Sequence, residues 1–351
     1  MARILITGGA GFIGSNLANR LLYEGHEVTI FDNLSRFGCD FNLAWLRERH
    51  GSIAFRLVTA NLTDFKALLQ AATGAERIYH FAGQVAVTTS IEDPRRDFEA
   101  NTLGTFNVLE AARQVGNDPI FIYASTNKVY GDLQEIPIIE EATRYRYVNS
   151  AFGVSETQPL DFRSPYGCSK GAGDQYTTDY ARIYGLRTVV MRQSCIYGYR
   201  QFGIEDQGWV AWFIIAGLQG YPLTIYGNGK QVRDVLFIED LLDAYEAAVH
   251  HIGTAAGQTY NIGGGMQHTV SIWAELGPML EALLGRPFSV TYAAWRVGDQ
   301  RIYVSDIRKA ERELNWRPRV SLREGVARLF QWMCDNRALF EHLQTARASS
   351  I

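Results

Sequence analysis

Cysteine and histidine are scarce in this chain, and neither forms a cluster. There are four cysteines and seven histidines among 351 residues. The cysteines lie far apart in the sequence, with no C-x-x-C pair, at Cys39, Cys168, Cys195 and Cys334. Disulfide frameworks and zinc sites both require closely spaced ligands. The spacing therefore predicts free thiols, a reducing compartment and no metal site.

Excess positive charge and long apolar runs are also missing. The formal net charge of −3 provides no basic field for nucleic acid or a membrane surface. No window approaches the roughly 20 apolar residues that a membrane span needs. The N-terminal residues run into a strand pattern instead of a secretory signal. We therefore expect a cytoplasmic protein that binds neither nucleic acid nor membranes.

The first part of the chain alternates strand and helix patterns. Amphipathic stretches such as 16–25 and 106–116 separate short apolar runs. The runs predict buried strands at 3–7, 27–32, 53–58, 77–82 and 120–125. Strand–helix–strand repetition predicts an α/β fold with a Rossmann-type, doubly wound parallel sheet.

This rhythm is lost in the later part of the chain, which gains aromatic residues and glycines and ends in a predicted helix at 321–347. We predict a Rossmann domain formed by 1–198, to which 232–264 returns. The predicted second lobe is smaller and is formed by 199–231 and 265–351.

A glycine-rich turn follows the first strand directly and opens the first helix. TGGAGFIG (7–14) contains Gly8, Gly11 and Gly14. The first glycine permits a sharp turn, the second lets backbone N–H groups approach a pyrophosphate, and the third lets helix and strand pack closely. Because the strand–turn–helix context is the required one, the motif predicts a dinucleotide site.

The second strand ends in Asp32, whose carboxylate can accept hydrogen bonds from ribose hydroxyls and repel a 2′-phosphate. This favours NAD over NADP. Arg36 argues against this preference, because an arginine there could accommodate a 2′-phosphate. The same residue also fits a solvated position in a loop. Further predicted cofactor contacts lie beside the turn and at the other strand ends: Phe12, Ile13, Asn33, Ser35, Asn61, Leu62, Phe81, Ala82, Gly83, Gln84, Asn101, Ser125 and Gln193.

Tyr166 and Lys170 are four residues apart, on one face of a helix that Ser164 and Pro165 would begin. A tyrosine pKa near 10 makes a poor base at neutral pH. A lysine ammonium and an oxidised nicotinamide could lower it to about 7, which requires roughly 4 kcal/mol. Alone, the pair is weak, since Y-x-x-x-K also arises by chance.

The end of the fifth strand supplies a third member. Ser125 and Thr126 lie at the carboxyl edge of the predicted sheet, where a hydroxyl can pass a proton between an alcohol and Tyr166. The glycine turn, the strand-end threonine and the Tyr–Lys pair together predict hydride transfer at a carbinol carbon.

These motifs resemble those of a known family. TGGAGFIG, the strand-end Asp32, STNKVYG (125–131) and YGCSK (166–170) are similar to the extended short-chain dehydrogenase/reductase superfamily, specifically its nucleotide-sugar epimerases and dehydratases. The resemblance covers nearly the whole chain. It extends to the CDP-paratose/CDP-tyvelose 2-epimerase group in the stretches 125–132, 160–176, 197–203, 206–213 and 227–240.

That resemblance implies catalytic roles for Thr126, Tyr166 and Lys170. It implies that NAD stays tightly bound through the reaction cycle. It also implies a homodimer or homotetramer. A non-catalytic NAD-binding protein is the remote alternative, but such proteins commonly lose the tyrosine or the lysine.

The residues after Thr126 bear on the type of reaction. Dehydratases of this superfamily have acidic residues there, whereas this chain has Asn127 and Lys128. Without a carboxylic acid to protonate a leaving hydroxyl, dehydration lacks its general acid. The pattern therefore favours epimerisation.

The reacting carbon is less constrained, because 4-epimerases share the same triad. Two features favour C2. The interval between Thr126 and Tyr166 is long, and its aromatic residues suggest an ordered wall over the sugar: Tyr145, Tyr147 and Phe152. Gln193-Ser194-Cys195 also follows a strand where 4-epimerases have an asparagine. Cys195 departs from the serine expected of the 2-epimerase group, and it fits either a packing or a specificity role.

The second lobe is predicted to bind the nucleotide end of a nucleotide-diphosphate sugar. The resemblance implies that arginines bind the diphosphate, because a guanidinium can donate two parallel hydrogen bonds to a phosphate. The predicted substrate contacts are Val87, Thr126, Asn127, Ser194, Cys195, Gln201, Gln207, Gly208, Trp209, Tyr226, Arg233, Arg296, Asp299 and Arg301. Asp299 would hold a ribose, and Gln207 to Trp209 would begin a helix facing phosphate. A CDP-hexose is favoured by resemblance, while UDP- and GDP-sugars remain open.

Overall fold

The computed structural model describes residues 1–296 and 299–341. In chain order its strands are β1 (Arg3–Thr7), β2 (Glu27–Asp32), β3 (Phe55–Thr59), β4 (Arg77–His80), β5 (Ile120–Thr126), β6 (Ile138–Glu140), β7 (Tyr145–Tyr147), β8 (Thr188–Gln193), β9 (Cys195–Tyr197), β10 (Leu223–Tyr226), β11 (Val232–Phe237), β12 (Gln258–Ile262), β13 (Thr269–Ser271), β14 (Val290–Ala293) and β15 (Ile302–Tyr303).

Helices connect most of these strands. They are α1 (Phe12–Tyr23), α2 (Cys39–His50), α3 (Phe65–Ala72), α4 (Val87–Glu92), α5 (Pro94–Phe98), α6 (Gly104–Gln114), α7 (Ser164–Tyr184), α8 (Trp209–Gln219), α9 (Ile238–His250), α10 (Ile252–Ala255), α11 (Leu276–Leu284), α12 (Arg308–Leu314) and α13 (Leu322–Asp335). Shorter turns are a π-helical turn at Glu99–Leu103 and 3₁₀ turns at Asn127–Tyr130, Met266–His268 and Arg337–Phe340. Within the described residues, no helix combines the length and apolarity needed to cross a membrane.

A seven-stranded parallel sheet forms the centre of the protein, in the order β12-β8-β5-β4-β1-β2-β3. The chain first builds outward from β1 through β2 to β3 and then returns to the other side of β1 with β4. This reversal makes a crevice at the carboxyl ends of β1 and β4, which is where open α/β sheets bind ligands. The predicted fold class is confirmed.

Side chains on both faces of this sheet are buried. In β1, Ile4 and Ile6 belong to one buried cluster and Leu5 to another, because successive side chains point to opposite faces. Every residue of β8 is buried. Strands covered on both faces read as nearly continuous apolar runs, which is the pattern that predicted them.

The remaining strands form smaller sheets. β11 pairs in parallel with β9 and β15 and antiparallel with β13, while β10 pairs with β14 and β6 with β7. Of the two strands in the segment 232–264, β12 joins the large sheet, whereas β11 belongs to a smaller one. The division into two lobes stays a prediction.

Two predicted elements end earlier than expected. β4 stops at His80 because the amides of Phe81 and Ala82 both turn to the carbonyl oxygen of Thr7, at 3.0 and 3.1 Å. The C-terminal helix ends at Asp335 instead of 347, where Asn336 Nδ2 donates back to the Trp332 carbonyl oxygen at 2.8 Å. Residues 342–347 of that predicted helix lie outside the described residues.

A buried ion pair joins α7 to the sheet. Both carboxylate oxygens of Asp174 accept from the Arg192 guanidinium at 2.9 Å. The two side chains are only 0% and 6% exposed. Ser125 Oγ donates to the same carboxylate at 2.7 Å, and Tyr130 OH accepts from Arg192 at 3.0 Å. The pair therefore connects α7 with β5, β8 and the turn after β5.

Removing one partner of this pair should destabilise the fold strongly. We expect Asp174→Ala to lower the free energy of unfolding by about 3–5 kcal/mol, because Arg192 would remain as an uncompensated buried charge. Urea denaturation measures the change. Glu141→Ala, which breaks an exposed pair with Arg146, is the control and should cost about 0–1 kcal/mol. Equal losses in the two variants would contradict the assigned role.

Candidate active site

The glycine turn between β1 and α1 is closely packed against the end of β4. Gly8 has φ +71°, and a Cβ there would lie 2.6 Å from the Ala82 amide nitrogen. A Cβ on Gly14 would overlap the Gly8 carbonyl oxygen. Gly11 caps α1 without a side-chain hydrogen bond to the first helical amides, so these N–H groups can face an anion. The turn therefore fits the pyrophosphate of a dinucleotide.

Asp32 lies at the end of β2 beside this turn. Its carboxylate accepts from the Ala10 amide at 3.0 Å and from the Leu34 amide at 2.9 Å. Burial raises its pKa, and these backbone hydrogen bonds oppose the rise. Asn33 Nδ2 donates to Asn61 Oδ1 at 2.6 Å. Side chains from the ends of β2 and β3 thus meet where an adenosine would lie.

The other predicted cofactor residues near α1 and β2 differ in exposure. Phe12 and Ile13, in the first turn of α1, pack partly buried against the core. Ser35 donates to Asn33 Oδ1 at 2.8 Å. Arg36 is exposed. Their cofactor roles stay predictions.

Asn101 connects the loop after β4 to α7. Its Oδ1 accepts from the Gln84 amide at 2.9 Å, and its Nδ2 lies 3.0 Å from Ser169 Oγ. The same Nδ2 lies 3.1 Å from Asp97 Oδ1. A Cβ on Gly83 would meet Asn101 Oδ1 at 2.5 Å, so the loop can approach the amide only with glycine there. Asn101 lies in the π-helical turn, a feature frequent at functional sites.

Thr126, Tyr166 and Lys170 converge at the carboxyl end of β5. The Thr126 side chain interacts with the Tyr166 phenol. Lys170 Nζ donates to the Ala124 carbonyl oxygen at 2.6 Å and lies 4.3 Å from the centre of the Tyr123 ring. The hydroxyl, the phenol and the ammonium therefore lie together at one strand end.

Burial moves the two titrating groups of this cluster in opposite directions. It raises the pKa of Tyr166 to about 12, although the interaction with Thr126 opposes the rise. It lowers the pKa of Lys170 to about 8, opposed by the charges of Asp174 and Asp97. In the protein alone Tyr166 is thus a neutral phenol at pH 7, and the lowering expected from the sequence requires a further positive charge.

Three predicted strand-end contacts are engaged inside the protein. Ser125 Oγ donates to the Asp174 carboxylate. Gln193 Nε2 donates to Tyr245 OH at 2.5 Å. Ser194 Oγ donates to the Asp234 carbonyl oxygen at 2.9 Å. Of the two hydroxyls at the end of β5, that of Ser125 is bonded to Asp174 and that of Thr126 interacts with Tyr166.

The predicted substrate residues of the second lobe form two ion pairs. Arg233 NH2 lies 2.7 Å from Asp299 Oδ1. Arg296 NH2 lies 2.7 Å from Asp206 Oδ1 and is stacked 3.9 Å from the centre of the Tyr226 ring.

The other predicted substrate residues are more dispersed. Gly208 (φ +72°) precedes α8, which begins at Trp209 as expected. Gln201 Nε2 donates to the Ile196 carbonyl oxygen at 3.1 Å. Arg301 lies over the rings of Trp295 and Tyr145. Three others lie at element starts: Val87 begins α4, Asn127 begins a 3₁₀ turn and Cys195 begins β9.

The long connection before α7 contains the β6–β7 hairpin. Tyr145 and Tyr147 are buried in a cluster with Val232 and Tyr303. Phe152 is 52% exposed, with the Arg308 guanidinium 3.8 Å from its ring centre. A wall over the sugar stays a prediction for these residues.

Comparison with known proteins identifies the family. The family model described as GDP-mannose 4,6 dehydratase matches residues 5–329. CDP-paratose 2-epimerase of Salmonella typhi is 45% identical over 346 residues, covering 94% of this chain and 98% of that protein. The chain belongs to the NAD-dependent epimerase/dehydratase family.

Solved structures support this assignment. The dTDP-glucose 4,6-dehydratase DesIV of Streptomyces venezuelae, solved with NAD, has TM-score 0.82 and 30% identity, and the match covers 97% of this chain and 99% of that one. The UDP-glucuronic acid 4-epimerase of Bacillus cereus, solved with UDP-glucuronic acid and NAD, has TM-score 0.81 and 28% identity, with 95% and 99% covered. The predicted family and its NAD cofactor are confirmed.

Sequence reasoning missed several residues of this epimerase/dehydratase site. Ser90 Oγ accepts from the Tyr166 amide at 3.1 Å, and Ser169 contacts Asn101. Asp97 is 1% exposed and interacts electrostatically with Lys170. Ser169 could have been found from its place inside Y-x-x-x-K. Ser90 and Asp97 are remote in sequence and carry no local signal.

Replacing Lys170 with methionine should alter how stability depends on pH in the NAD-free protein. Burial lowers the pKa of Lys170 from 10.5 to about 8. Between those values the unfolded chain binds the proton more tightly, so the native chain gains stability as pH rises through this window. Lys170→Met removes that gain.

We therefore expect the free energy of unfolding of the native chain, relative to that of the variant, to rise by up to about 3 kcal/mol between about pH 7 and about pH 10.5. Urea unfolding at a series of pH values measures it. The exposed Lys66 supplies the control, Lys66→Met, which should leave the profile unchanged. Parallel profiles for native and Lys170→Met chains would contradict the prediction.

Proposed function

We propose that this protein is a nucleotide-sugar epimerase that inverts C2 of a CDP-hexose of the CDP-paratose/CDP-tyvelose type. The inversion would use transient oxidation with tightly bound NAD. The observation that carries this proposal is the meeting of the Thr126 hydroxyl, the Tyr166 phenol and the Lys170 ammonium at the end of β5, with Asn127 and Lys128 instead of acids after Thr126. The similarity to the Salmonella typhi CDP-paratose 2-epimerase supports it.

The chain's own residues would transfer one proton to and from the substrate. NAD supplies reversible acceptance of a hydride. Tyr166 takes the proton of the hydroxyl on the reacting carbon and returns it when the hydroxyl re-forms, and Thr126 hydrogen-bonds the same oxygen. Lys170 is held by the Ala124 carbonyl oxygen and favours the phenolate when the proton has left.

Dehydration is disfavoured by the two residues after Thr126. Asn127 is buried, and its Oδ1 accepts from Thr126 Oγ1 at 3.3 Å. An amide cannot donate the proton that a leaving hydroxyl requires, and neither can a lysine ammonium as readily as a carboxylic acid. Inversion without elimination is the chemistry these side chains suit.

The substrate's diphosphate would lie toward Arg233 and Arg296, each of which is paired with an aspartate. Bidentate guanidinium–phosphate bonding would position the sugar at Thr126. Inversion at C4 of another nucleotide sugar is the second candidate, because the same triad serves it and a 4-epimerase is a structural neighbour. A cytoplasmic homodimer or homotetramer completes the proposal.

The decisive experiment is NMR of products formed from a panel of CDP-, UDP-, GDP- and dTDP-hexoses. We expect interconversion of CDP-paratose and CDP-tyvelose, with inversion at C2 and no added reductant or oxidant. Inversion at C4 would replace this proposal with the second candidate. A 4-keto-6-deoxy product would instead identify a dehydratase.

Tyr166→Phe should reduce turnover by roughly 10²–10⁴-fold, because it removes the group that exchanges the proton. NAD should remain bound, since the glycine turn and Asp32 are unchanged. Turnover and the NAD content of the purified variant are the measurements. The control is Tyr176→Phe, an exposed tyrosine on the same helix, which should leave both unchanged. Near-normal turnover of the Tyr166 variant would exclude Tyr166 from the mechanism.

A further inference from the structure

The turn after β5 carries a cation that was not among the predicted site residues. Lys128 lies two residues beyond Thr126, and its backbone N–H donates to Thr126 Oγ1 at 3.3 Å. The end of the turn contacts the segment before β15, because Gln300 Nε2 donates to the Gly131 carbonyl oxygen at 2.6 Å. The turn that carries Lys128 therefore lies between Thr126 and the segment before β15.

Arg233 approaches the same place from β11. Its guanidinium is 7% exposed and paired with Asp299. The charges of Arg233, Asp299 and the neighbouring Asp132 act on the Lys128 ammonium. Both cations also act on the thiol of Cys195, the first residue of β9. The charges of Lys128 and Arg233 thus act on the same place, the start of β9.

The two cations differ in how they are partnered. Arg233 has a carboxylate at 2.7 Å. Across residues 1–296 and 299–341, no hydrogen bond reaches the Lys128 ammonium and no carboxylate oxygen lies within 4.0 Å of it. Burial and the nearby Arg233 lower its pKa. A partly buried ammonium without a partner is costly, and an anion at this place would offset that cost.

The substrate of the proposed reaction carries an anion near this position. Its diphosphate is attached to C1, and C2 is bonded directly to C1, whereas C4 lies across the ring. A C2 hydroxyl at Thr126 and Tyr166 therefore brings the sugar-linked phosphate close to those side chains. A C4 hydroxyl there would direct the phosphate away. A cation beside Thr126 suits chemistry at C2.

We propose that Lys128, together with Arg233, binds the phosphate nearest the sugar and so holds C2, not C4, at Thr126 and Tyr166. Lys128 is then a positioning residue that selects the reacting carbon without touching it. The choice of carbon rests on the proposed function. The phosphate contact can be tested without any turnover.

The test compares CMP and CDP binding by calorimetry to the NAD-loaded native chain, Lys128→Gln and Lys66→Gln. Lys66 is an exposed lysine on α3 and is the matched control. We expect Lys128→Gln to weaken CDP binding about tenfold or more, as loss of a charged hydrogen bond does. CMP lacks the second phosphate, so its affinity should stay within about twofold.

A variant that keeps the positive charge distinguishes this role from a structural one. Lys128→Arg keeps the charge and should retain most of the preference for CDP over CMP. Unchanged CDP affinity in Lys128→Gln, or equal losses for CMP and CDP, would overturn the proposal. If a uridine, guanosine or thymidine nucleotide binds best, its mono- and diphosphate replace CMP and CDP. Failure of the CDP assignment is thereby distinguished from failure of the phosphate contact.

Discussion

The buried Asp174–Arg192 ion pair is the interaction on which the candidate site depends most. Tyr166, Lys170 and Asp174 are spaced four residues apart along α7, so they share one face of that helix. Asp174 ties this face to β8 through Arg192 and to β5 through Ser125. The phenol and the ammonium consequently meet the end of β5 in one register. Anchoring a catalytic helix by a fully paired buried charge gives it little freedom to shift.

Lys170 shows what this arrangement costs. Its ammonium is buried, and its pKa falls to about 8 although Asp174 and Asp97 favour the charged form. Tyr166 meanwhile holds its proton more firmly than a free tyrosine does. The protein alone therefore keeps a destabilising cation beside an inactive phenol. In the proposed mechanism both become useful when a positively charged nicotinamide lies next to them, and functional sites commonly lower stability in this way.

The parts of the candidate site that the sequence could predict are those with a local signal. The glycine turn, Asp32 and the Tyr166–Lys170 spacing each follow from a strand or helix pattern within a few residues. Ser90 caps the Tyr166 amide from 76 positions away, and no short motif encodes such a contact. The C-terminal helix was overestimated because its apolar periodicity continues past Asn336, whose side chain ends the helix.

The sequence by itself determined the fold class, the NAD cofactor and the family, because these depend on repeated strand–helix patterns and on compact motifs. The tertiary structure decided which hydroxyl at the end of β5 meets Tyr166. Ser125 and Thr126 are equivalent as sequence, but the register of α7 against β5 gives the first to Asp174 and the second to the phenol. It also brought Lys128 beside Arg233, 105 positions later in the chain. Contacts of this kind depend on how elements pack, and packing is a property of the whole fold.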